Sequence, residues 1–337
     1  MGHQTEELIC FLVLPKNKKL ADYYIKEREF INTFAEKKSM KLSDLRSDRY
    51  LIPISFFCIY FIWGSTYLAT DWAFESFPPF FMTAIRLLMA GGLLLSVSYK
   101  GYKTATSKQI RNAAFFGFLI LGIGSGGAMW SVLYLDTGMA SLIVGCEPLV
   151  LVVFSWLLIG QRASMQKMLG VALGMVGMYI LVSQDAITTS PDAYKGIIAV
   201  SVAIMGWTLG AIYMKGSDLP TSKIANTAIQ MLTAGFVLLL VSLVLQEDIA
   251  SIANRFTWKA FWSLLYLMFF GSIIAYTAFN YLLIKEDPRK VATATYINPI
   301  IALLLGWYFN NEVITSQSLC AATILILGVV FIIRDDE

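Results

Sequence analysis

Residues 83–91 read TAIRLLMAG and residues 227–235 read TAIQMLTAG, identical at six of nine positions. The same offset of 144 residues pairs Trp63 with Trp207. Further on, an offset of 151 pairs Pro148 with Pro299, Trp156 with Trp307, Gln166 with Gln317 and Gly177 with Gly328. Matches that keep their order along the chain mark an internal duplication. Both nonapeptides lie inside apolar runs, so the unit that has been copied is a set of apolar segments.

A helix needs roughly 20 mostly apolar residues to cross the hydrocarbon core of a bilayer. On that template, spans are expected near residues 50–70, 79–97, 112–134, 139–159 and 168–183, then 196–214, 224–245, 259–284, 291–309 and 317–334. Each copy holds five, an odd number, so the second copy enters the membrane in the opposite sense. The expected fold is therefore an all-α integral membrane protein, ten transmembrane helices in two inverted five-helix repeats. Residues 50–184 form the first repeat and residues 194–334 the second; residues 1–49 precede them as an N-terminal extension. Inverted repeats recur in alternating-access carriers.

Composition agrees. Of the 337 residues 57% are apolar and 15% charged, whereas a soluble domain carries about a quarter charged residues. All but four of the 26 lysines and arginines fall in the tail or in alternate loops; the exceptions are Arg86, Lys195, Arg255 and Lys259. This bias places both termini in the cytoplasm of a multi-pass protein of the plasma (inner) membrane. Basic residues sorted this way set topology and form no stripe for nucleic acid. Trp72, Trp258 and Trp262, near outer helix ends, fit an interfacial aromatic belt.

Other chemistry is thinly supplied. The one histidine is His3, in the tail, which removes the residue that zinc hydrolases and His-activated nucleophiles require. The four cysteines, Cys10, Cys58, Cys146 and Cys320, form no CxxC pair, so no metal or other cofactor is expected. No GxxxxGK[ST] loop is present, so energy for any transport must come from an ion gradient or from the solute's own gradient.

Two ionisable residues stand inside spans, Arg86 and Glu147, where each needs a partner or a role. Both lie about eight residues from the outer end of their helices, roughly 12 Å deep at 1.5 Å per residue, so a direct ion pair is geometrically open to them. Their counterparts in the second half are Gln230 and Asn298. Two readings stand: these four line a substrate or proton pathway, or Arg86 and Glu147 form a static pair that pins two helices. Pro148 and Pro299 each remove a backbone donor and are candidate kinks. Trp63, Tyr67, Trp130, Trp207, Tyr276 and Tyr296 fall within spans, and the first four are candidates for the pathway wall. The glycines of helix 3 (Gly122, Gly124, Gly126, Gly127) and helix 5 (Gly170, Gly174, Gly177) point to close helix packing.

The string Ile62-Trp63-Gly64-Ser65-Thr66-Tyr67-Leu68, the Arg86-Leu87-Leu88 motif, and a proline in each fourth helix followed by a polar turn and a glycine-bearing fifth helix resemble the drug/metabolite transporter superfamily, in its EamA-type members. The resemblance covers about residues 50–334. Glu312 matches the acid that the family carries after its fourth helix, whereas the first half has Gln161 there. The resemblance implies a ten-helix secondary carrier, a non-enzyme that exports amino acids, metabolites or drugs, with a small-molecule substrate and a proton or other ion as coupling partner. Two alternatives belong to other classes: an intramembrane lipid-modifying enzyme, and a membrane scaffold that binds a protein through residues 1–49.

The tail reads differently. Residues 8–14 are too short to span, and the charged run 22–41 suits a surface helix. Met40 opens a natural short start, so translation in the cell is expected to begin there. N-terminal sequencing of the native protein tests this; a product that starts at Gly2 refutes it.

Overall fold

The computed structural model describes residues 42–159, 164–183, 192–214, 217–286, 291 and 294–334. The chain divides into two compact units, residues 1–53 and 54–337. Of the first, residues 42–53 are described and are helical; the apolar run 8–14, the charged run 22–41 and Met40 lie outside the described residues.

Every regular element among the described residues is a helix. Helix α1 comprises Leu42–Phe57, a π-helical segment Cys58–Ile62 and Trp63–Phe74; α2 is Pro79–Lys103. Helix α3 runs Ser107–Phe116, passes through a π segment Gly117–Ser125 and ends as Gly126–Ser131. Helix α4 is in two pieces, Thr137–Val144 and Glu147–Ile159, and α5 is Met165–Val182. Helices α6 (Ala193–Met214) and α7 (Lys223–Val244) are unbroken, and a single turn, Ile252–Arg255, leads into α8. Helix α8 repeats the plan of α3: Trp258–Tyr266, a π segment Leu267–Ala275, then Tyr276–Lys285. Helices α9 (Ala294–Asn310) and α10 (Ser316–Arg334) complete the chain.

Seven helices among the described residues are long and apolar enough to cross a membrane: Asp48–Phe74, Pro79–Lys103, Ser107–Ser131, Thr137–Leu158, Ala193–Met214, Lys223–Val244 and Trp258–Leu282. Helices α5, α9 and α10 contain shorter apolar stretches, Met168–Gly177, Ile297–Asn310 and Ser316–Gly328. Large apolar side chains cover the outside as well as the core: Val97 is 76% exposed, Val244 80%, and the counterparts Trp156 and Trp307 are each 55% exposed. Such a surface suits lipid and not water. The chain is a multi-pass integral membrane protein, all-helical over the described residues.

Helix ends follow local chemistry. Helix α3 begins at Ser107, five residues before the expected Asn112, because Thr106 and Gln109 form a reciprocal capping box that satisfies two orphan amides. Helix α2 extends past the expected Val97 to Lys103, with Lys100 and Lys103 in its last turn, where cations favour the carbonyl end of a helix. The two prolines are not equivalent. Helix α4 breaks at the Gly145–Cys146 turn, leaving Pro148 in the first turn of the following piece, where its missing N–H costs nothing. Helix α9 runs through Pro299 without a break. At the offset of 151, Gly145 corresponds to Tyr296.

Counterpart helices pack on each other through reciprocal contacts. A Cβ on Gly91 of α2 would lie 2.9 Å from Leu232 of α7, and one on Gly235 of α7 would lie 2.8 Å from Leu88 of α2. Adding 144 to Gly91 and Leu88 yields Gly235 and Leu232, so each contact is the other's image. In α5 and α10, a Cβ on Gly177 would lie 2.9 Å from Leu325, and one on Gly328 would lie 3.0 Å from the backbone of Gly174; these too are images at the offset of 151. Small residues let the backbones approach in this way.

Gly91 therefore cannot accept a methyl group: its Cβ would also meet Leu232 N at 3.0 Å and the Ala228 carbonyl at 3.1 Å, whereas a Cβ on Gly92 meets nothing within 4 Å. Gly91→Ala is expected to destabilise the fold by about 1–3 kcal/mol through overpacking. Gly92→Ala should be neutral or stabilising by up to about 1 kcal/mol through helix propensity. Unfolding of the two variants in detergent measures the contrast.

Candidate functional site

Each π segment receives a polar side chain from another helix or from its own counterpart half. In an α-helix every interior carbonyl is taken by the amide four residues on; a π segment disturbs that ladder, and such segments gather at functional positions. The indole Nε1 of Trp63 donates to the carbonyl of Gly271, inside the π segment of α8, at 3.4 Å. Asn298 of α9 turns its amide NH2 toward the π segment of α1, donating to the carbonyls of Ile59 at 3.1 Å and Tyr60 at 2.8 Å, and to Ala294 in its own helix at 3.2 Å. That orientation is the one its neighbours require. Arg86 of α2 donates from Nη2 to Ser125 Oγ, the last residue of the π segment of α3, at 3.1 Å.

Trp63 and Trp207 meet edge to face with ring centroids 6.1 Å apart. Phe279 closes the group, 5.1 Å from Trp63 and 6.0 Å from Trp207, and Tyr276 follows at 6.2 Å from Phe279. Gln230 is fully buried; it accepts from the Tyr276 hydroxyl at 2.6 Å, and its amide nitrogen faces Met214 Sδ at 3.8 Å. Four helices, α1, α6, α7 and α8, thus supply one aromatic and amide cluster. Edge-to-face ring pairs add about 0.5–1.5 kcal/mol beyond area burial.

Arg86 and Glu147 form no ion pair in this structure. The ion pairs described are Lys108–Asp218, Lys195–Asp192 and Lys259–Glu75, all at helix ends. Arg86 is 5% exposed, and its Nε has no partner. Glu147 opens the second piece of α4, near the buried hydroxyl of Tyr67, which also has Ser141 as a neighbour. Trp130 belongs elsewhere: it stacks on Phe80 at 5.9 Å and meets Tyr134 at 5.1 Å, on the wall of an apolar cavity of about 350 Å³ with Phe118, Ile198 and Val241. The side chain of Tyr296 lies outside the described residues.

The bundle end that carries Pro79 and Thr137 is tied by two carboxylates. Glu247, just after α7, accepts from the amides of Phe80 at 3.0 Å and Phe81 at 2.8 Å in the first turn of α2. Glu312, just after α9, accepts from Thr137 N at 3.2 Å, Thr137 Oγ1 at 2.7 Å and Gly138 N at 3.3 Å at the start of α4. Both acids follow a left-handed residue, Gln246 at φ 52° and Asn311 at φ 55°, which reverses the chain at the helix end. Each carboxylate then meets orphan amides and the positive end of a helix dipole. The resemblance flagged Glu312, but nothing flagged Glu247; a lone acid after a long apolar run carries no local signal. Beside Glu312, Asp71 accepts from Asn310 at 2.6 Å, and Asn310 accepts from Trp72 at 2.9 Å. Asp71, Asp136, Asn310 and Glu312 line a polar cavity of about 350 Å³. Partial burial, and then the nearby Asp71 carboxylate, push the Asp136 carboxyl above its ordinary value.

Similarity to known proteins runs the length of this arrangement. The EamA-like transporter family model matches residues 51–183 and again 194–334. The chain is 32% identical over 290 residues to the uncharacterized inner membrane transporter YedA of Escherichia coli strain K12, covering 84% of this chain and 92% of that protein. It is 24% identical over 270 residues to the uncharacterized transporter YoaV of Bacillus subtilis, covering 80% and 91%. It is also 24% identical over 278 residues to protein PecM of Dickeya dadantii, covering 81% and 89%. A solved crystal structure shares the fold with a TM-score of 0.59 at 17% identity, covering 83% of this chain and 96% of that one. A helical membrane bundle whose two stretches match one family model in tandem belongs to the EamA-like transporter family.

Proposed function

We propose that the protein is a secondary active carrier that moves a small organic solute across the plasma (inner) membrane by alternating access, in the direction of export. The observation that carries this reading is the reciprocal packing of counterpart helices, Gly91 on Leu232 with Leu88 on Gly235, and Gly177 on Leu325 with Gly174 on Gly328. Reciprocal contacts are the signature of a two-fold relation between two similar bodies, and two inverted halves can rock about such an axis. In this reading α5, α9 and α10 complete a set of ten spans, with both termini cytoplasmic as the lysine and arginine bias requires.

The solute path runs between the halves. Trp63, Trp207 and Tyr67 form its wall, Arg86 and Gln230 its polar contacts, and Glu147 the site where a coupling proton is taken up and released. Asn298 holds α9 to the π segment of α1. Trp130 is assigned to packing, since its neighbours are apolar. The break in α4 at Gly145–Cys146 supplies a hinge, and Glu247 and Glu312 close one end of the path. The names of relatives as transporters support the carrier reading and leave the solute open.

Flux into proteoliposomes of purified protein, across a panel of amino acids, amines, organic acids and drugs, tests the proposal. Trp63→Ala and Trp207→Ala are each expected to lower flux of the accepted solute by about three- to tenfold, the worth of one lost ring contact. Glu147→Gln is expected to abolish the response of flux to an imposed pH gradient while leaving exchange of solute for solute. A panel with no transported member, or flux indifferent to both tryptophans, would overturn the reading.

A further inference from the structure

We propose that Arg86 is the recognition point for an anionic group on the transported solute, which makes the substrate an organic anion with a flat apolar body. The inference rests on the carrier reading for its role in transport, and on Arg86 itself for its chemistry.

The guanidinium carries five N–H donors in a planar fork and stays charged. Here the residue is only 5% exposed. One donor reaches Ser125 Oγ at 3.1 Å, and Nε has no partner. No described ion pair includes it. A charge held inside a membrane span without a counter-ion is expensive and marks a function.

The second half of the molecule shows that the fold does not need the charge. Gln230 occupies the position of Arg86 at the offset of 144, and Tyr276 that of Ser125 at the offset of 151. Gln230 is satisfied there by the Tyr276 hydroxyl at 2.6 Å and by Met214 Sδ at 3.8 Å. A neutral amide with a long hydroxyl partner thus solves the packing problem in one half. In the other half a long cation meets a short serine, and donors are left over. Their fork suits a carboxylate or another anionic oxygen pair.

The body of the solute follows from the neighbour. Gly124, adjacent to Ser125, faces Trp207, whose ring would lie 3.2 Å from a Cβ placed there. Two consecutive residues of α3 therefore touch the guanidinium and the aromatic cluster of Trp63, Trp207 and Phe279. An apolar ring on those aromatics would carry its acid group to Arg86.

The test is equilibrium binding to the purified full-length chain in detergent, with three probes of similar size: phenylacetate, its isostere phenylacetamide, and phenethylamine. Tryptophan fluorescence and the shift in unfolding temperature report occupancy. Phenylacetate is expected to bind, with the amide and the amine weaker by about tenfold to a hundredfold, the worth of a charge-assisted hydrogen bond. Arg86→Gln, which copies the solution at Gln230, is expected to fold, to melt at or above the parent temperature without ligand, and to lose the preference for the anion. Arg86→Lys should keep part of it, and the probe comparison on the parent protein stands even where a variant fails to fold. Equal binding of amide or amine, no binding of phenylacetate, or an unchanged preference in Arg86→Gln overturns the proposal. Flux of a neutral or cationic solute that survives Arg86→Gln sinks this inference and spares the carrier reading. Anion binding without any flux does the reverse.

Discussion

A peptide group inside the hydrocarbon core has no water to bond with, so every amide and carbonyl there must be answered by protein. Helices meet that demand internally, which is why the described chain is helix and connecting turn. Where the i to i−4 ladder is interrupted, another group must step in. The α1 and α8 π segments are answered in this way, by the Asn298 amide on the Ile59 and Tyr60 carbonyls and by the Trp63 indole on the Gly271 carbonyl. In α1 and α8 the interruption and a functional candidate, Asn298 or Trp63, therefore coincide for one reason. At those two segments the opened backbone is held by the side chain that reaches it.

The same constraint gives the two halves their unequal characters. Reciprocal glycine contacts join counterpart helices, yet the polar content differs. The first half has Arg86 with surplus donors and a helix broken at Gly145–Cys146; the second has the satisfied Gln230 and an unbroken helix through Pro299. The acids that cap α2 and α4 both come from the second half, Glu247 and Glu312. Their counterparts are Lys103, which does not offer acceptors, and Gln161, which lies outside the described residues. A duplicated fold needs the same backbone packing twice. It does not need the same charges twice, and a carrier that distinguishes two sides of a membrane has reason to keep them different.

In the proposed mechanism the carboxylates at helix starts form a joint that opens. Each of the two caps replaces water at orphan amides, and water can take the site back once the helix ends separate. Edge-to-face aromatics such as Trp63 and Trp207 shear with little change in contact area. By contrast the glycine-on-leucine contacts of α2 with α7 and α5 with α10 are close-packed and rigid. Rigid pairs and exchangeable end contacts are what the proposed rocking of the two halves would require.

Much of this was legible in the sequence, because hydrophobic run length and repeat register are local properties of a chain. They located most helix ends within three residues, paired Trp63 with Trp207 as repeat counterparts, and singled out Arg86 and Glu147 as charged groups in need of a partner or a role, with Gln230 and Asn298 as their counterparts. Misplaced ends, such as the start of α3 at Ser107, turned on a capping box that lay just outside the apolar run. What the sequence left open was which polar groups meet. Equal depth made an Arg86–Glu147 pair geometrically available, but depth is one coordinate, and the azimuth of each side chain depends on how the helices rotate and pack. Tertiary structure sent Arg86 to Ser125 and gave Glu147 no cationic partner among the described residues. It also brought Glu247 to the start of α2, 166 residues away in the chain. Sequence by itself determined the helices and their duplication, since burial in lipid acts on each segment separately; only the packed bundle decided the partners, since a contact depends on two segments at once.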